Sequence, residues 1–296
     1  MGSETHLLTY ATHETEGLRV WRSGAQRHGW RPTVVGLGAP WRGWKARAAA
    51  LATAVARLDP GDLVLVTDAY DVCVTNSPTA LREVVGAKAV LVGTERTARR
   101  LVARLPLHPS GKVNAGRARE RDFGFSARLH EDSPGLTINC GAFAGRAAPL
   151  AAVLRSVAVS PYGDDQAAWG AIADGDAEAP GLGASEVAFD TESRLVCNLS
   201  IGSVPELLSF ALLPHQHVRA RVREALASGV VCVHAPGSPL DGGVRYALLL
   251  SELGHATGSS VWRASVLSAI SFLLLALALG VVLRVSLAQP ALHHSH

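Results

Sequence analysis

Up to about residue 258, short apolar runs alternate with longer amphipathic ones, the pattern of an α/β domain whose strands are covered by helices. His6–Tyr10 reads as a strand, Gly17–His28 as a helix and Thr33–Gly36 as a second strand. The Ala-rich run Lys45–Leu58 predicts a helix stopped by Asp59-Pro60-Gly61, because proline and glycine in succession break the helical ladder. The next run, Asp62–Thr67 (DLVLVT), is apolar without alternation, which predicts a central strand covered on both faces. A helix at Thr79–Val85 and a strand at Ala89–Val92 follow. Further along come a strand near Thr137–Ala144, helices near Pro149–Val157 and from Gln166, a helix around His217–Ser228 and a strand at Val230–Val233. Residues 106–135 are rich in Pro, Gly, Arg and Asp without a period and read as an irregular insertion, and Asp174–Ser185 reads as a loop. Residues 1–258 therefore form one domain.

A different pattern begins near residue 262. Val266–Leu283 runs for 18 residues without a charge, between Arg263 and Arg284. At about 1.5 Å per residue, with its small neighbours, such a helix crosses a hydrocarbon core of about 30 Å. The alternative, a buried core helix, leaves an all-round apolar element with little to pack under. The expectation is a transmembrane helix over 262–285, with Trp262 at the interface and a short tail over 286–296. Met1–His6 is polar and only LLTY follows, so no secretory signal is expected. Arg245 and Arg263 before the span, against Arg284 after it, agree with a tail anchor and a cytosolic domain.

Composition narrows the classes. The 28 Lys and Arg against 25 Asp and Glu leave a charge of +3, too little over 296 residues for an electrostatic nucleic-acid binder. An apolar fraction of 48% with 18% charged residues excludes a disordered chain. Cys73, Cys140, Cys197 and Cys232 lie far apart, which argues against a zinc knuckle or dense disulfide scaffold and for core thiols. The mean hydropathy of +0.19 is high for a soluble chain, and the C-terminal segment supplies much of it.

Sheets of this class bind ligands at the carboxyl ends of their strands. DLVLVT is followed by Asp68-Ala69-Tyr70-Asp71, and Val230–Val233 by His234-Ala235-Pro236-Gly237. Between them, after Ser160-Pro161-Tyr162-Gly163, Asp164-Asp165-Gln166 opens a helix. Two carboxylates three residues apart on a turn can share a divalent ion, and hard oxygens suit Mg²⁺ or Mn²⁺. An imidazole from a second strand end tilts the choice to Mn²⁺, leaving positions for phosphate oxygens. Each residue also has a plainer use: Asp68 as a turn cap, His234 as a hydrogen-bonded loop histidine, Asp164 and Asp165 at a helix N-terminus favoured by the dipole. These residues alone reach a metal-dependent nucleotide-sugar or phosphate enzyme and no further.

The ordered pieces Ala11-Thr12-His13-Glu14-Thr15, Trp41-Arg42-Gly43, Lys45, Thr67-Asp68-Ala69-Tyr70-Asp71-Val72, Ser77-Pro78, Asn139-Cys140-Gly141-Ala142-Phe143, Asp164-Asp165-Gln166, Ser193-Arg194 with Asn198-Leu199, and His234 with Gly237 narrow it further. Over roughly residues 5–240 they resemble the glycosyltransferase domain of the procollagen lysyl hydroxylases and its viral and microbial relatives. The T-D-x-Y-D-V and N-x-G-x-F blocks are the specific ones. The resemblance implies a GT-A, Rossmann-like mixed sheet with helices on both faces, Mn²⁺, a UDP-hexose donor, and transfer of glucose or galactose to hydroxylysine or galactosyl-hydroxylysine of a collagen-like acceptor. It makes Asp68, Asp71 and His234 the metal ligands. Tyr70 and Trp41 would hold the uridine with Thr12 beside it, Lys45 would meet the diphosphate, and Gly237 would belong to the same cofactor-binding set. Asn139, Asp164 and Asp165 would face the sugar and the acceptor hydroxyl, and Glu95 matches an acidic catalytic position.

This chain also departs from the family. Only Trp44 separates Trp-Arg-Gly from Lys45, Leu240 stands where the family has a phosphate-binding lysine, Arg99 lies near the place of an acceptor-side aromatic, and a run of aspartates is cut to two. Nothing resembles a hydroxylase domain. A lumenal domain follows if topology matches the family. The rival expectation is an inactive, membrane-anchored UDP- or glycan-binding module of the same fold.

Overall fold

The computed structural model describes residues 3–96, 124–203, 206, 209–210, 213–236 and 241–255. The expected span 262–285, the tail 286–296, residues 106–123 of the insertion, Arg99, Gly237 and Leu240 lie outside the described residues. Among the described residues no helix is long and apolar enough to cross a membrane.

The chain begins β1 (Thr5–Tyr10), α1 (Glu16–Arg27), β2 (Pro32–Val35), α2 (Trp44–Val55), β3 (Leu63–Thr67), β4 (Val72–Val74), α3 (Pro78–Val85) and β5 (Val90–Arg96). It continues with α4 (Ala127–Asp132), β6 (Leu136–Arg146), α5 (Ala147–Val159), α6 (Asp165–Ala173), β7 (Val187–Asp190), β8 (Val196–Asn198), α7 (Pro214–Ala227), β9 (Cys232–His234) and α8 (Asp241–Glu252). Local chemistry starts several helices. Thr15 accepts the Leu18 N–H at the head of α1, Ser77 accepts the Ala80 N–H with Pro78 in the first turn of α3, and Asp164 accepts the Gln166 N–H at the head of α6.

Six strands form a mixed sheet in the order β2-β1-β3-β6-β5-β7, and β4-β9-β8 form a second, smaller sheet. Alternation along the strands divides the large sheet's two cores. Leu7, Leu63 and Leu65 pack with Leu18 and Trp21 of α1 and with Leu81 and Val85 of α3. Leu8, Val64 and Val66 pack on the opposite side with Leu51 and Val55 of α2, Leu150 and Leu154 of α5, and Trp169 of α6. All five residues of β3 are buried, as an unbroken apolar run between two helical layers requires. The small sheet has its own core, where Cys73, Cys197 and Val233 meet Val218 and Val222 of α7 and Leu249 of α8. All four cysteines are buried and none is in a disulfide.

Three features position the site. The first is direction: β3 runs parallel to β1, but β6 is inserted antiparallel between β3 and β5. The N-terminal half of β6 therefore lies at the carboxyl end of β3. The second is register: Val72 of β4 pairs with His234 of β9, and Asn198 of β8 pairs with His234 from the other side. The third is a close approach at Gly17, where a Cβ would lie 2.4 Å from the Tyr70 carbonyl oxygen, so glycine lets α1 sit on the turn after β3.

The structure departs from the pattern-based elements in several places. Residues 106–135 are not irregular throughout. Ser126 caps α4, and the Asp174 carboxylate takes the Ser126 hydroxyl (2.5 Å) and the Ala127 N–H (2.9 Å), a partnership across 48 residues that local pattern does not reveal. β5 runs on to Arg96, past the expected end at Val92, and the last strand is Cys232–His234 rather than Val230–Val233. The three-residue strands β4 and β8 and the four-residue β7 are too short to carry a readable period, and the helix α8 lies outside the expected elements.

Candidate active site

Asp68 is the first residue after β3, and its N–H donates to the Gly141 carbonyl (2.8 Å), which ties the turn to β6. Asp71 closes the turn, its carbonyl accepting the Ala235 N–H (2.9 Å). Because β4 starts at the next residue and pairs with β9, His234 comes alongside: its Nε2 lies 3.4 Å from Asp71 Oδ2 and 3.9 Å from Asp68 Oδ2. One ligand atom from each of the three residues falls within 4.8 Å of the others, so together they could hold a metal ion. The other imidazole nitrogen, Nδ1, is 2.6 Å from Asn198 Oδ1, and Asn198 Nδ2 donates to the Thr94 carbonyl (2.8 Å).

β6 supplies the floor. Its pairing with β5 is regular from Val90 to Val92 and again from Thr94, where Ile138 follows Phe143 as partner, so residues 139–142 arch away from β5 while Ala142 stays paired with Thr67 of β3. Within the arch the Gly141 N–H donates to Asn139 Oδ1 (2.8 Å). A Cβ on Gly141 would lie 2.2 Å from His234 Cε1 and 2.3 Å from Nδ1, so the imidazole rests on a glycine because nothing larger fits beneath it. Gly141→Ala is expected to push His234 aside and weaken divalent-ion binding by at least about 10-fold while the fold survives, read by metal titration beside a circular dichroism melt.

The far wall is the head of α6, and a buried arginine spans the gap. Arg47 of α2 donates from Nη2 to Asp68 Oδ1 (2.6 Å) and from Nη1 to Asp165 Oδ2 (2.9 Å), its side chain only 6% exposed. Burial raises the Asp68 carboxyl above the usual range, with Arg47 pulling it back and Asp71 adding to the rise. Burial likewise pushes Asp165 up to about 7, against the pull of Arg47. Burial presses His234 down, but Asp71 and Asp68 outweigh it and hold the imidazole above the usual histidine value. Burial drives the Cys140 thiol well up, so this residue in the cleft wall is a neutral thiol. These groups line an open cleft, to which Trp44, Gln166 and Pro236 also contribute.

An aromatic lip leads out of the cleft. Arg47 lies under the Trp44 ring (5.5 Å), Trp44 meets Trp41 edge-on (5.0 Å), and Trp41 meets Tyr10 (5.9 Å). At the end of β1, the Thr12 N–H donates to the Tyr70 hydroxyl (3.1 Å), and His13 stands 5.2 Å from the Tyr70 ring.

Residues 2–106 match the family model of the PLOD GT domain. Over those residues the chain is similar to a PLOD-type glycosyltransferase domain. The match spans about a third of the chain and takes in Thr12, Trp41, Lys45, Asp68, Tyr70, Asp71 and Glu95, ending before Asn139, Asp164, Asp165 and His234. No curated protein matches the chain. Among solved structures, the apo bifunctional glycosyltransferase WbbM shows a TM-score of 0.43 and 11% identity, over 86% of this chain and 52% of that one. The present chain thus spans about half of WbbM's length. The galactosyltransferase LgtC, solved with donor and acceptor sugar analogs, shows a TM-score of 0.40 and 13% identity over 88% of this chain and 95% of that one.

The fold gathers Asp68, Asp71, His234, Asn139, Asp164 and Asp165 in one cleft. Thr12 and Tyr70 meet outside it, and Trp41 joins through Trp44. Two residues stand elsewhere. Lys45 is exposed and not in the cleft lining, where the cation is Arg47. Glu95 is buried in β5 opposite Thr137, and its charge reaches His234 without lining the cleft. Sequence reasoning missed Arg47: two residues after Lys45, it lies about 200° around the helix on the face that packs inward, and the Ala-rich run does not mark which face that is. Asn198 was visible only as part of a motif.

Proposed function

We propose that this enzyme is a Mn²⁺-dependent, GT-A-type hexosyltransferase that moves glucose or galactose from a UDP-sugar to a hydroxyl of a protein or glycan acceptor. By kinship with the PLOD type, that acceptor is hydroxylysine or galactosyl-hydroxylysine of a collagen-like chain. The observation that carries the reading is the meeting of Asp68, Asp71 and His234, from two strand ends of different sheets, across a cleft from Asp164 and Asp165. Two carboxylates and an imidazole whose Nδ1 is already engaged form a donor set suited to Mn²⁺. When bound, the ion supplies positive charge against the negative charge that builds on a departing diphosphate.

The chain's own groups do the rest. Asp68, Asp71 and His234 Nε2 hold the ion. Arg47 keeps Asp68 and Asp165 at a fixed separation. Asp164 caps α6 and Asp165 pairs with Arg47, and both, with Asn139, line the cleft where the sugar and the acceptor hydroxyl would lie. Tyr70, Thr12 and Trp41 receive the uridine. Residues 262–285 anchor the enzyme in a membrane.

One observation favours the inactive-module reading: among the described residues no lysine lines the cleft, and its arginine is already shared by two carboxylates. A single assay separates the two. The full-length chain in detergent, with Mn²⁺ and a panel of UDP-sugars, is expected to release UDP from one donor, with further release on addition of a hydroxylysine peptide. Binding of UDP with no release from any donor, acceptor present, would establish the module instead.

A further inference from the structure

We propose that Asn198 is the positioning residue of the metal histidine: it takes the Nδ1–H of His234 and so turns the Nε2 lone pair toward Asp68 and Asp71. The inference rests on the reading of that trio as a metal site.

The hydrogen-bond directions follow from the partners. A backbone carbonyl only accepts, so the atom of Asn198 facing the Thr94 oxygen is the amide nitrogen, which leaves Oδ1 facing the imidazole. An amide oxygen only accepts as well, so Nδ1 carries the proton. In a neutral imidazole the bare nitrogen is then Nε2, the atom that lies 3.4 Å from Asp71 and 3.9 Å from Asp68. Asn198 thus selects the tautomer that can bind a metal with the nitrogen that faces the carboxylates.

Asn198 is itself held firmly. It is the last residue of β8 and is 4% exposed, with parallel pairing that sets it directly beside His234. β7 pairs with β5 only as far as Gly93, and Asn198 takes the next carbonyl, that of Thr94. Its own carbonyl accepts from Arg221 Nη2 (2.7 Å) on α7. The start of β8 is fixed by Asp190, whose carboxylate accepts the N–H groups of Arg194, Leu195 and Val196 at 2.8–2.9 Å. The large sheet, through Thr94, therefore orients a histidine that belongs to the small one. Outer partners of this kind typically change metal affinity by roughly 10- to 100-fold.

The test is Mn²⁺ titration of the full-length protein, followed by the loss of the free-ion electron paramagnetic resonance signal, for wild type, Asn198→Leu and Asp71→Ala. Asn198→Leu keeps the volume and removes both hydrogen bonds. It is expected to weaken Mn²⁺ binding by about 10- to 100-fold, less than Asp71→Ala does. Equal affinity in wild type and Asn198→Leu, with Asp71→Ala impaired, overturns the role of Asn198 and leaves the metal site standing. No Mn²⁺ binding by wild type overturns the metal reading, and this inference with it. Should Asn198→Leu not fold, nitrogen-15 NMR of the metal-free wild type above the His234 pKa gives the answer. Neutral His234 is expected with its proton on Nδ1, against the usual Nε2 preference, and a proton on Nε2 refutes the proposal.

Discussion

Arg47→Leu is expected to cost the enzyme at least about 100-fold in kcat and to lower its melting temperature most at alkaline pH. Among the described residues the guanidinium is the one group that ion-pairs with both Asp68 and Asp165, and it does so from a buried helix face. Without it the two carboxylates repel across a water-poor gap, and a displacement near 1 Å at reacting groups is enough for a loss of about 100-fold. Breaking a buried ion pair by removing one partner typically destabilises by about 3–5 kcal/mol. The pH dependence has a definite sign. Asp165 already sits at about 7 against an ordinary value of 3.8, so between those limits the folded metal-free protein binds more protons than the unfolded chain. Its stability therefore falls as pH rises through that window. Arg47 opposes the shift, so its loss raises Asp165 further and extends the window upward. Melts of metal-free wild type and variant at pH 5 and pH 8 check this: the deficit of the variant should be larger at pH 8. A deficit independent of pH would mean that Arg47 serves packing alone. Arg47→Lys should recover only part of the activity, since one ammonium cannot present the two separated donors that reach both carboxylates.

Asp71→Ala should abolish metal-dependent turnover, a loss on the order of 10³-fold, while leaving the metal-free fold in place. The size follows from removing charge stabilisation worth several kcal/mol at the leaving group. Asp71 is the cleaner choice of ligand because its side chain is 35% exposed and has no ion pair with Arg47, so its removal leaves that buried cation paired. The check is thermal. On the proposed function, Mn²⁺ at about 100 times its dissociation constant is expected to add about 2.7 kcal/mol to the wild-type fold, visible as a raised melting temperature. The variant should show no such rise at the same concentration, and chelation of wild type should bring the two together. A variant that still responds to Mn²⁺ would move the ion away from this trio.

Much of this was legible in one dimension. DLVLVT announced a strand buried on both faces, and Ser77-Pro78 and Asp164-Asp165 announced helix starts, because those outcomes depend on neighbours within about four residues. The chemistry-bearing residues Asp68, Asp71, Asp164 and His234 stood out for the same reason, each at the end of an apolar run or the head of a helix. The short strands β4 and β8 did not, since three residues hold no period and exist only because β9 pairs with both. Lys45 drew attention that Arg47 deserved, because which side of an Ala-rich helix turns inward is settled by what it packs against.

The sequence by itself determined the alternation of elements, the carboxylate turn after β3 and the cap before α6, all products of short-range sterics and hydrogen bonding. Tertiary structure alone decided that β6 runs antiparallel beside β3, that His234 pairs with the residue after Asp71, that Asn198 lies within hydrogen-bond distance of its imidazole, and that Arg47 reaches Asp165 across 118 residues. Those contacts depend on strand order, direction and register. They are set by which buried faces fit together across the whole domain, and a linear chain carries no local record of that fit.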